Sequence, residues 1–460
     1  MAFRALPTDS PADFHRSRNS RLCYDNRDGT STWECAVPEC LIHMKWLIMR
    51  PDLLDTISLY LHIPFCQAKC HYCDFNSYAG MLGFGEQYVD ALCAEINFAG
   101  QRTRLAGDER RRCRTIFFGG GTPSLLEAEQ VRALLQAARK SFEVDMDAEI
   151  TLEANPGTLE YKHLDRVRAL GVNRLSMGAQ SFDADLLRWM GRIHSPKEIE
   201  TALAAGRAAG FTNINLDFIY ALPGQSLRTW SETLERAIAL APEHLSLYSL
   251  IVEEGTPLFK WVRQGQVTPV DEDLAADMYE LAEEQMKAAG YVHYEISNWA
   301  KPGHECRHNL TYWHNLPYVG LGAGAHGWFG GHRYSESRPI RGYIKKVRDT
   351  LAAHVESAAS AGDRLPGGAI VEDETIPRAL EMAETAMLGM RLVEGVDMSA
   401  FAQRYGVEFE RVFSDRLSLA WDYDLIETRN DRLRLTPRGR LLGNEVFERL
   451  LPDREEATAK

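Results

Sequence analysis

From residue 57 onward, short β-rich segments alternate with stretches of helical spacing, and this alternation restricts the chain to few folds. The β-rich segments are 57–63, 115–118, 149–153, 174–177, 213–219 and 244–250. Between them lie 87–99, 128–139, 159–170, 196–209 and 226–240, with apolar residues three and four apart. Strands separated by helices imply βαβ crossovers, which pair the strands in parallel and put the helices outside. Six such units predict an α/β fold, an incomplete TIM-type (β/α)6 barrel, with a doubly wound open sheet as the competing layout. Both gather chemistry at the C-terminal ends of the strands.

A further helix at 271–289 leads to strand-like 291–297, and beyond Gly330 the pattern changes. Helical stretches at 377–392, 399–405 and 409–420 precede 425–429 and 433–436, joined by Asn430, Asp431 and Arg432, and a last helix at 437–450. Helices, then a hairpin, then a helix predict a C-terminal winged-helix-like α+β domain. Acidic side chains outnumber basic ones by 65 − 52 = 13, so packing is expected of it and no nucleic-acid partner. The domain layout expected is an extension at 1–56, a core at 57–330 and the C-terminal domain at 331–460.

The extension mixes Arg, Ser, Asp and Pro without periodicity and is expected to be poorly ordered. Arg4, Arg16, Arg18 and Arg21 hint at a transit peptide, but Asp9, Asp13, Asp25 and Asp28 argue against one. A start at Met44 or Met49 is the other reading. The apolar runs fall short of the roughly 18–20 residues that span a bilayer. A cytoplasmic protein without a membrane span is expected, peripheral contact left open.

Three of the nine cysteines stand together, in LHIPFCQAKCHYCDFNS after the first strand. Cys66, Cys70 and Cys73 at spacings of four and three cannot share one strand face, so a loop must wrap them around a common object. Structural zinc needs a fourth ligand, for which His62 or His71 could serve, and ordinarily two Cys-x-x-Cys arms. Core cysteines fit poorly beside Lys69, His71 and Asp74. A cubane iron–sulfur cluster wants a thiolate per iron, so three cysteines leave one iron open to an outside chelator.

The second strand ends in FFGGGTPS, where Gly119, Gly120 and Gly121 let backbone groups approach a ligand and Thr122 adds a hydroxyl. Later strands end in Glu153, Gln180 and Asp217, and Arg192 follows in LRWMGRIHS. Carboxylates in apolar strands are costly unless they meet a partner such as a ribose diol or an amine. Helix caps and salt bridges are the plainer explanation for each one singly.

With Tyr72 before its last cysteine, the Cys-x-x-x-Cys-x-x-Cys loop resembles that of the radical S-adenosylmethionine superfamily. The likeness implies a 4Fe–4S cluster held by Cys66, Cys70 and Cys73, with S-adenosylmethionine chelating the open iron. From about residue 59 to 450 the chain resembles the subfamily of oxygen-independent coproporphyrinogen III oxidases and HemW-type heme chaperones. That likeness implies an S-adenosylmethionine site lined by Tyr60, Gly120, Gly121, Thr122, Glu153, Gln180, Arg192 and Asp217.

Within the subfamily, the oxidase type has a fourth cysteine two residues past the cluster, where this chain has Phe75. The segment CRHNLTYW matches the His-Asn-x-x-Tyr-Trp signature of the chaperone type through His308, Asn309, Tyr312 and Trp313. Imidazole is a common axial ligand of heme iron, so His308 is the expected heme ligand, with Tyr312 and Trp313 as an apolar wall. A packed histidine beside core aromatics is the alternative. Cys306 does not complete Cys-x-x-Cys-His, so no thioether attachment is expected. The extension favours the oxidase, weakly. Gly320, Gly322 and Gly324 form another close-approach segment, and His326 within it is left as a second ligand or a packed side chain. The resemblance thus implies a chaperone that passes heme to an acceptor protein of unknown identity, without a catalytic residue. The alternative is oxidative decarboxylation of coproporphyrinogen III in porphyrin biosynthesis.

Overall fold

The computed structural model describes residues 54–356 and 365–452, so the expectation for 1–56 lies almost wholly outside the described residues. One sheet holds β1 (Thr56–Ile63), β2 (Arg112–Gly120), β3 (Glu143–Ala154), β4 (Arg174–Gln180), β5 (Ile214–Tyr220) and β6 (His244–Ser249). It continues with β7 (Val292–Glu295), β8 (Asn298–Ala300), β9 (Tyr318–Leu321), β10 (His326–Phe329), β11 (His332–Glu336) and β12 (Ile370–Thr375). The order is β12-β11-β10-β9-β1-β2-β3-β4-β5-β6-β8-β7. Neighbours from β1 to β6 run parallel, as the βαβ pattern predicts. This is the six-unit arc of an incomplete barrel.

Parallel strands covered on both sides read as near-continuous buried runs, and β1 is buried at every position but Tyr60. The covering helices are Gly85–Arg102, Ala128–Ser141, Tyr161–Ala169, Pro196–Ala208 and Leu227–Ala239. Local chemistry fixes their starts. Ser195 and Glu198 close a capping box, and the Ser226 side chain accepts from Thr229 N. Leu227–Ala239 then buries Trp230, Thr233, Leu234 and Ala237, one stripe of a 3.6-residue period, and the Trp230 indole donates to Met278 O at 2.8 Å.

Two departures from the sequence reading shape the site. Strand β3 begins at Glu143, six residues before the expected start, because Glu143–Asp147 is polar and carries no apolar run. Its pairing is held by Arg112, which donates from Nε and Nη2 to Asp145 at 2.9 Å each. Strands β9 to β12 also extend the sheet beyond β1, where the sequence reading placed no strands. Strand β9 pairs parallel to β1, and β10 and β11 form a hairpin closed by Gly330 (φ 62°) and Gly331 (φ 80°). The expected boundary at 330/331 falls on the tip of this hairpin.

Buried Glu95 stitches this extension to the core. It accepts from Gly322 N at 2.9 Å, Gly368 N at 2.7 Å and Tyr343 Oη at 2.6 Å. A second hydrophobic core begins at Ala383 and runs to Leu450. Around it, helices Arg378–Gly389, Met398–Tyr405 and Phe409–Asp422 precede strands Ile426–Arg429 and Arg432–Leu435, and Val396–Asp397 completes the small sheet. Asn430 (φ 51°) and Asp431 (φ 60°) make the tight wing turn. The expected last helix is divided, Pro437–Leu441 and Gly443–Leu450, at Leu442 (φ −111°).

Candidate cofactor site

The cysteine loop leaves the C-terminal end of β1 and is locked to the end of β2 by backbone. Gly121 N donates to Ile63 O and Thr122 N to Phe65 O, both at 2.8 Å. A Cβ on Gly121 would lie 2.6 Å from Phe65 O, and one on Gly120 2.5 Å from the His62 ring. Gly120 also has φ +113°, a conformation side chains disfavour. The glycines therefore clear room for the cysteine loop itself, and Gly120 N donates to Glu153 Oε2 at 3.0 Å.

All three cysteines carry free thiols, Cys66 buried and the other two half-buried. Thr122 Oγ1 donates to Cys66 Sγ at 3.6 Å, and Arg192 Nη1 to Cys70 Sγ at 3.5 Å. Burial pushes the Cys73 thiol above its ordinary pKa. Burial also opposes the Arg192 charge, but Tyr72 and Cys70 beside it hold its pKa above the ordinary value. Lys69 Nζ closes the loop by donating to Phe75 O at 3.1 Å and Ser77 O at 3.3 Å. Beneath the loop, Tyr72 packs on Leu187, Met190, Ile219 and Leu222. Of the histidines that could complete a zinc site, His62 has both ring nitrogens engaged and His71 has Nδ1 engaged. Tyr60 Oη lies 3.1 Å from His62 Nδ1, His62 Nε2 2.8 Å from Asn76 O, and His71 Nδ1 2.7 Å from Trp189 O.

Glu153, Gln180, Arg192 and Asp217 come together on the open side of this loop, though from different depths. Glu153 and Gln180 stand at strand ends, the latter with φ +66°. Asp217 stands mid-strand, level with Gly178 of β4, so the expectation that it ends its strand is corrected. It accepts from Asn215 Nδ2 at 2.7 Å. Arg192 comes from the loop after helix Ala184–Trp189 and donates from Nη2 to Gly178 O at 2.7 Å. Gly178 has no space for a Cβ, which would meet Gln180 Nε2 at 2.7 Å and Arg192 Nη2 at 3.0 Å. Burial, and then the neighbouring Asp217, push Glu153 up to about 8. Burial raises Asp217 as well.

His308 is not part of this group. It lies 1% exposed on helix Arg307–Trp313, with its ring stacked on Phe117 at 5.0 Å between centroids. Nδ1 meets Thr115 Oγ1 at 2.7 Å and Nε2 meets Tyr312 Oη at 2.8 Å, so neither nitrogen is open to an iron in this conformation. Burial and then Arg174 lower its pKa to about 3, so the ring is neutral. Glu149 anchors the helix start, accepting from Arg307 N and His308 N at 3.0 Å each and from Cys306 Sγ at 3.5 Å. Sequence reasoning missed Glu149, Thr115 and Phe117, because each sits inside an ordinary strand pattern.

Comparison with known proteins decides the family. A radical SAM superfamily profile matches residues 60–237 and a HemN C-terminal domain profile matches 376–442. The heme chaperone HemW of Bacillus subtilis (strain 168) is 37% identical over 391 residues, covering 85% of this chain and 98% of the relative. That of Lactococcus lactis subsp. lactis is 35% identical over 399 residues, covering 86% and 97%. This chain belongs to the HemW family. Among solved structures, coproporphyrinogen III oxidase (HemN) from Escherichia coli, described as a radical SAM enzyme, superposes with a TM-score of 0.71. At 23% identity, covering 86% of this chain and 90% of that one, it shows the shared fold.

The cofactors this superfamily implies are a 4Fe–4S cluster and S-adenosylmethionine, and the residues of this HemW-family chain fit both. Three thiols on one loop, with Thr122 and Arg192 donating to two of them, suit a cluster with one iron left for a non-protein chelator. Two buried carboxylates that repel one another suit a cationic, hydroxyl-bearing ligand such as a sulfonium nucleoside. A prediction follows from Glu153. A bound cation lowers its pKa from about 8, so below that value binding must expel a proton. Affinity for S-adenosylmethionine should therefore rise with pH, by up to about tenfold per unit, and level off near pH 8. Isothermal titration between pH 6 and pH 9 checks this, with Glu153→Gln expected to bind about tenfold more weakly and to flatten the profile. An unchanged slope in Glu153→Gln would assign the proton elsewhere.

Proposed function

We propose that this chain is a heme chaperone, which binds heme beside a 4Fe–4S cluster and S-adenosylmethionine and passes the heme to an acceptor protein. The observation that carries this is identity of 37% along 98% of a relative named for that activity. Phe75, 63% exposed at the position of the oxidase's fourth cysteine, supports the same choice. In this reading Cys66, Cys70 and Cys73 ligate the cluster. Tyr60, Gly120, Gly121, Thr122, Glu153, Gln180, Arg192 and Asp217 hold S-adenosylmethionine. The cluster, when bound, supplies electrons for sulfonium cleavage. The chain's own part is to orient the cofactor through Arg192, Glu153 and Asp217 and to keep the thiols partly screened from water. Among the described residues no helix is long and apolar enough to cross a membrane, and a cytoplasmic setting fits the free thiols.

The second reading, coproporphyrinogen III oxidation, rests on fold likeness to the oxidase. One experiment separates them. With the cluster reconstituted anaerobically, the protein is given S-adenosylmethionine, a reductant and coproporphyrinogen III. No decarboxylated product is expected, whereas heme-loaded protein should restore the spectrum of a heme-depleted acceptor. Product at catalytic turnover would reverse the assignment.

A further inference from the structure

A cavity of about 390 Å³ opens between the cysteine loop and the sheet extension. Its size is within the range of small-molecule sites. Its lining includes Tyr60, which it shares with the proposed S-adenosylmethionine site, Phe75 and Asn76 of the cysteine loop, the rings of Tyr312 and Tyr318, and His326 and Arg338. The two tyrosines meet edge to face at 4.7 Å between centroids, Tyr312 held by the His308 contact described above.

The last two differ from every other histidine and arginine around the site. His326 is exposed, and its side chain makes no hydrogen bond or ion pair among the described residues. Its backbone is nonetheless rigidly mounted at the base of the β10–β11 hairpin, paired with Ser335, and a Cβ on Gly320 would lie 1.8 Å from its carbonyl. Burial keeps its pKa below the ordinary value, with Glu372 opposing and Arg338 and Arg333 reinforcing the shift. A neutral imidazole results, free to ligate. Arg338 is likewise exposed, with a free guanidinium among the described residues. Its backbone carbonyl is fixed by Asn76 Nδ2 at 2.9 Å and Tyr78 Oη at 3.1 Å.

An imidazole and a guanidinium without side-chain partners among the described residues, with two tyrosine rings beside them, match three parts of one ligand: a metal, an apolar macrocycle and a carboxylate. We propose that His326 ligates the heme iron in this cavity and that Arg338 pairs with a heme propionate, while His308 positions the Tyr312 ring. This rests on the heme-chaperone reading and names the site within it.

Hemin titration of the cluster-reconstituted protein, followed in the Soret band, tests the proposal. His326→Ala should lose the wild-type Soret position and bind about tenfold or more weakly, and added imidazole should restore the band. Arg338→Gln should weaken binding about threefold to tenfold with the band unmoved. Both side chains are exposed, so their loss should leave the unfolding midpoint unchanged. Wild-type affinity and Soret position in His326→Ala would overturn the assignment while leaving the heme reading intact. Failure of the wild type itself to saturate with heme would overturn both.

Discussion

Anaerobic reconstitution of Cys70→Ala should yield protein with almost no iron or acid-labile sulfide and without the broad visible absorption of a 4Fe–4S cluster. Loss of groups that merely support a metal ligand costs about 10–100-fold in affinity, and loss of the ligand itself costs more. Cys70 also meets Arg192, whose charge is opposed by burial and sustained by Tyr72 and Cys70. Without the sulfur the guanidinium loses one hydrogen-bond partner and keeps Gly178 O, so the S-adenosylmethionine side of the site should loosen too. Iron and sulfide analysis, with titration of the cofactor, measures both effects. Stoichiometric zinc in the wild type, retained after removal of iron, would revive the zinc reading.

Glu149→Ala should lower stability to urea by about 2–4 kcal/mol, at about 1–3 kcal/mol for each buried donor left without its acceptor. Glu149 is 5% exposed, and its carboxylate satisfies two backbone N–H groups at the start of the signature helix as well as the Cys306 thiol. Arg174, 2% exposed, owes part of its raised pKa to Glu149, although burial acts against it. Removing the carboxylate leaves two backbone donors at the helix start short of an acceptor. Glu149→Gln, which keeps an acceptor, should lose less. A loss below about 1 kcal/mol for Glu149→Ala would show that water replaces the carboxylate. The experiment also bears on the His-Asn-x-x-Tyr-Trp signature, since a large loss marks its first residues as an anchor for the barrel interior.

How legible the molecule was in its sequence follows the strength of each local signal. The six parallel strands were readable because strands covered on both faces are apolar throughout, as in 57–63. The cysteine triplet was readable because spacing alone identifies a loop around one object. Strands β9 to β12 were not, since β9 and β10 have four residues each and Gly320, Gly322, Gly324 and Gly327 interrupt any pattern. Those glycines are demanded by tertiary approach, as where Gly327 faces the Tyr334 ring, and sequence does not report such contacts. His308 shows the converse. Its motif is conspicuous in sequence, yet only coordinates reveal that both ring nitrogens are engaged. His326, unassigned by sequence, is singled out by exposure and by a side chain without hydrogen-bond or ion-pair partners among the described residues.

The Glu95 stitching has a bearing on how this protein can be divided. Gly322, Tyr343 and Gly368 lie on both sides of residue 330, and all three meet one buried carboxylate. Cutting the chain at the hairpin tip would strip β11 and β12 from β10 and leave a raw sheet edge, a template for self-association. It would also take Tyr343 Oη and Gly368 N from Glu95, leaving it Gly322 N. Strands β11 and β12 therefore belong with the sheet that precedes residue 330, and a cut at the hairpin tip would divide one packed layer.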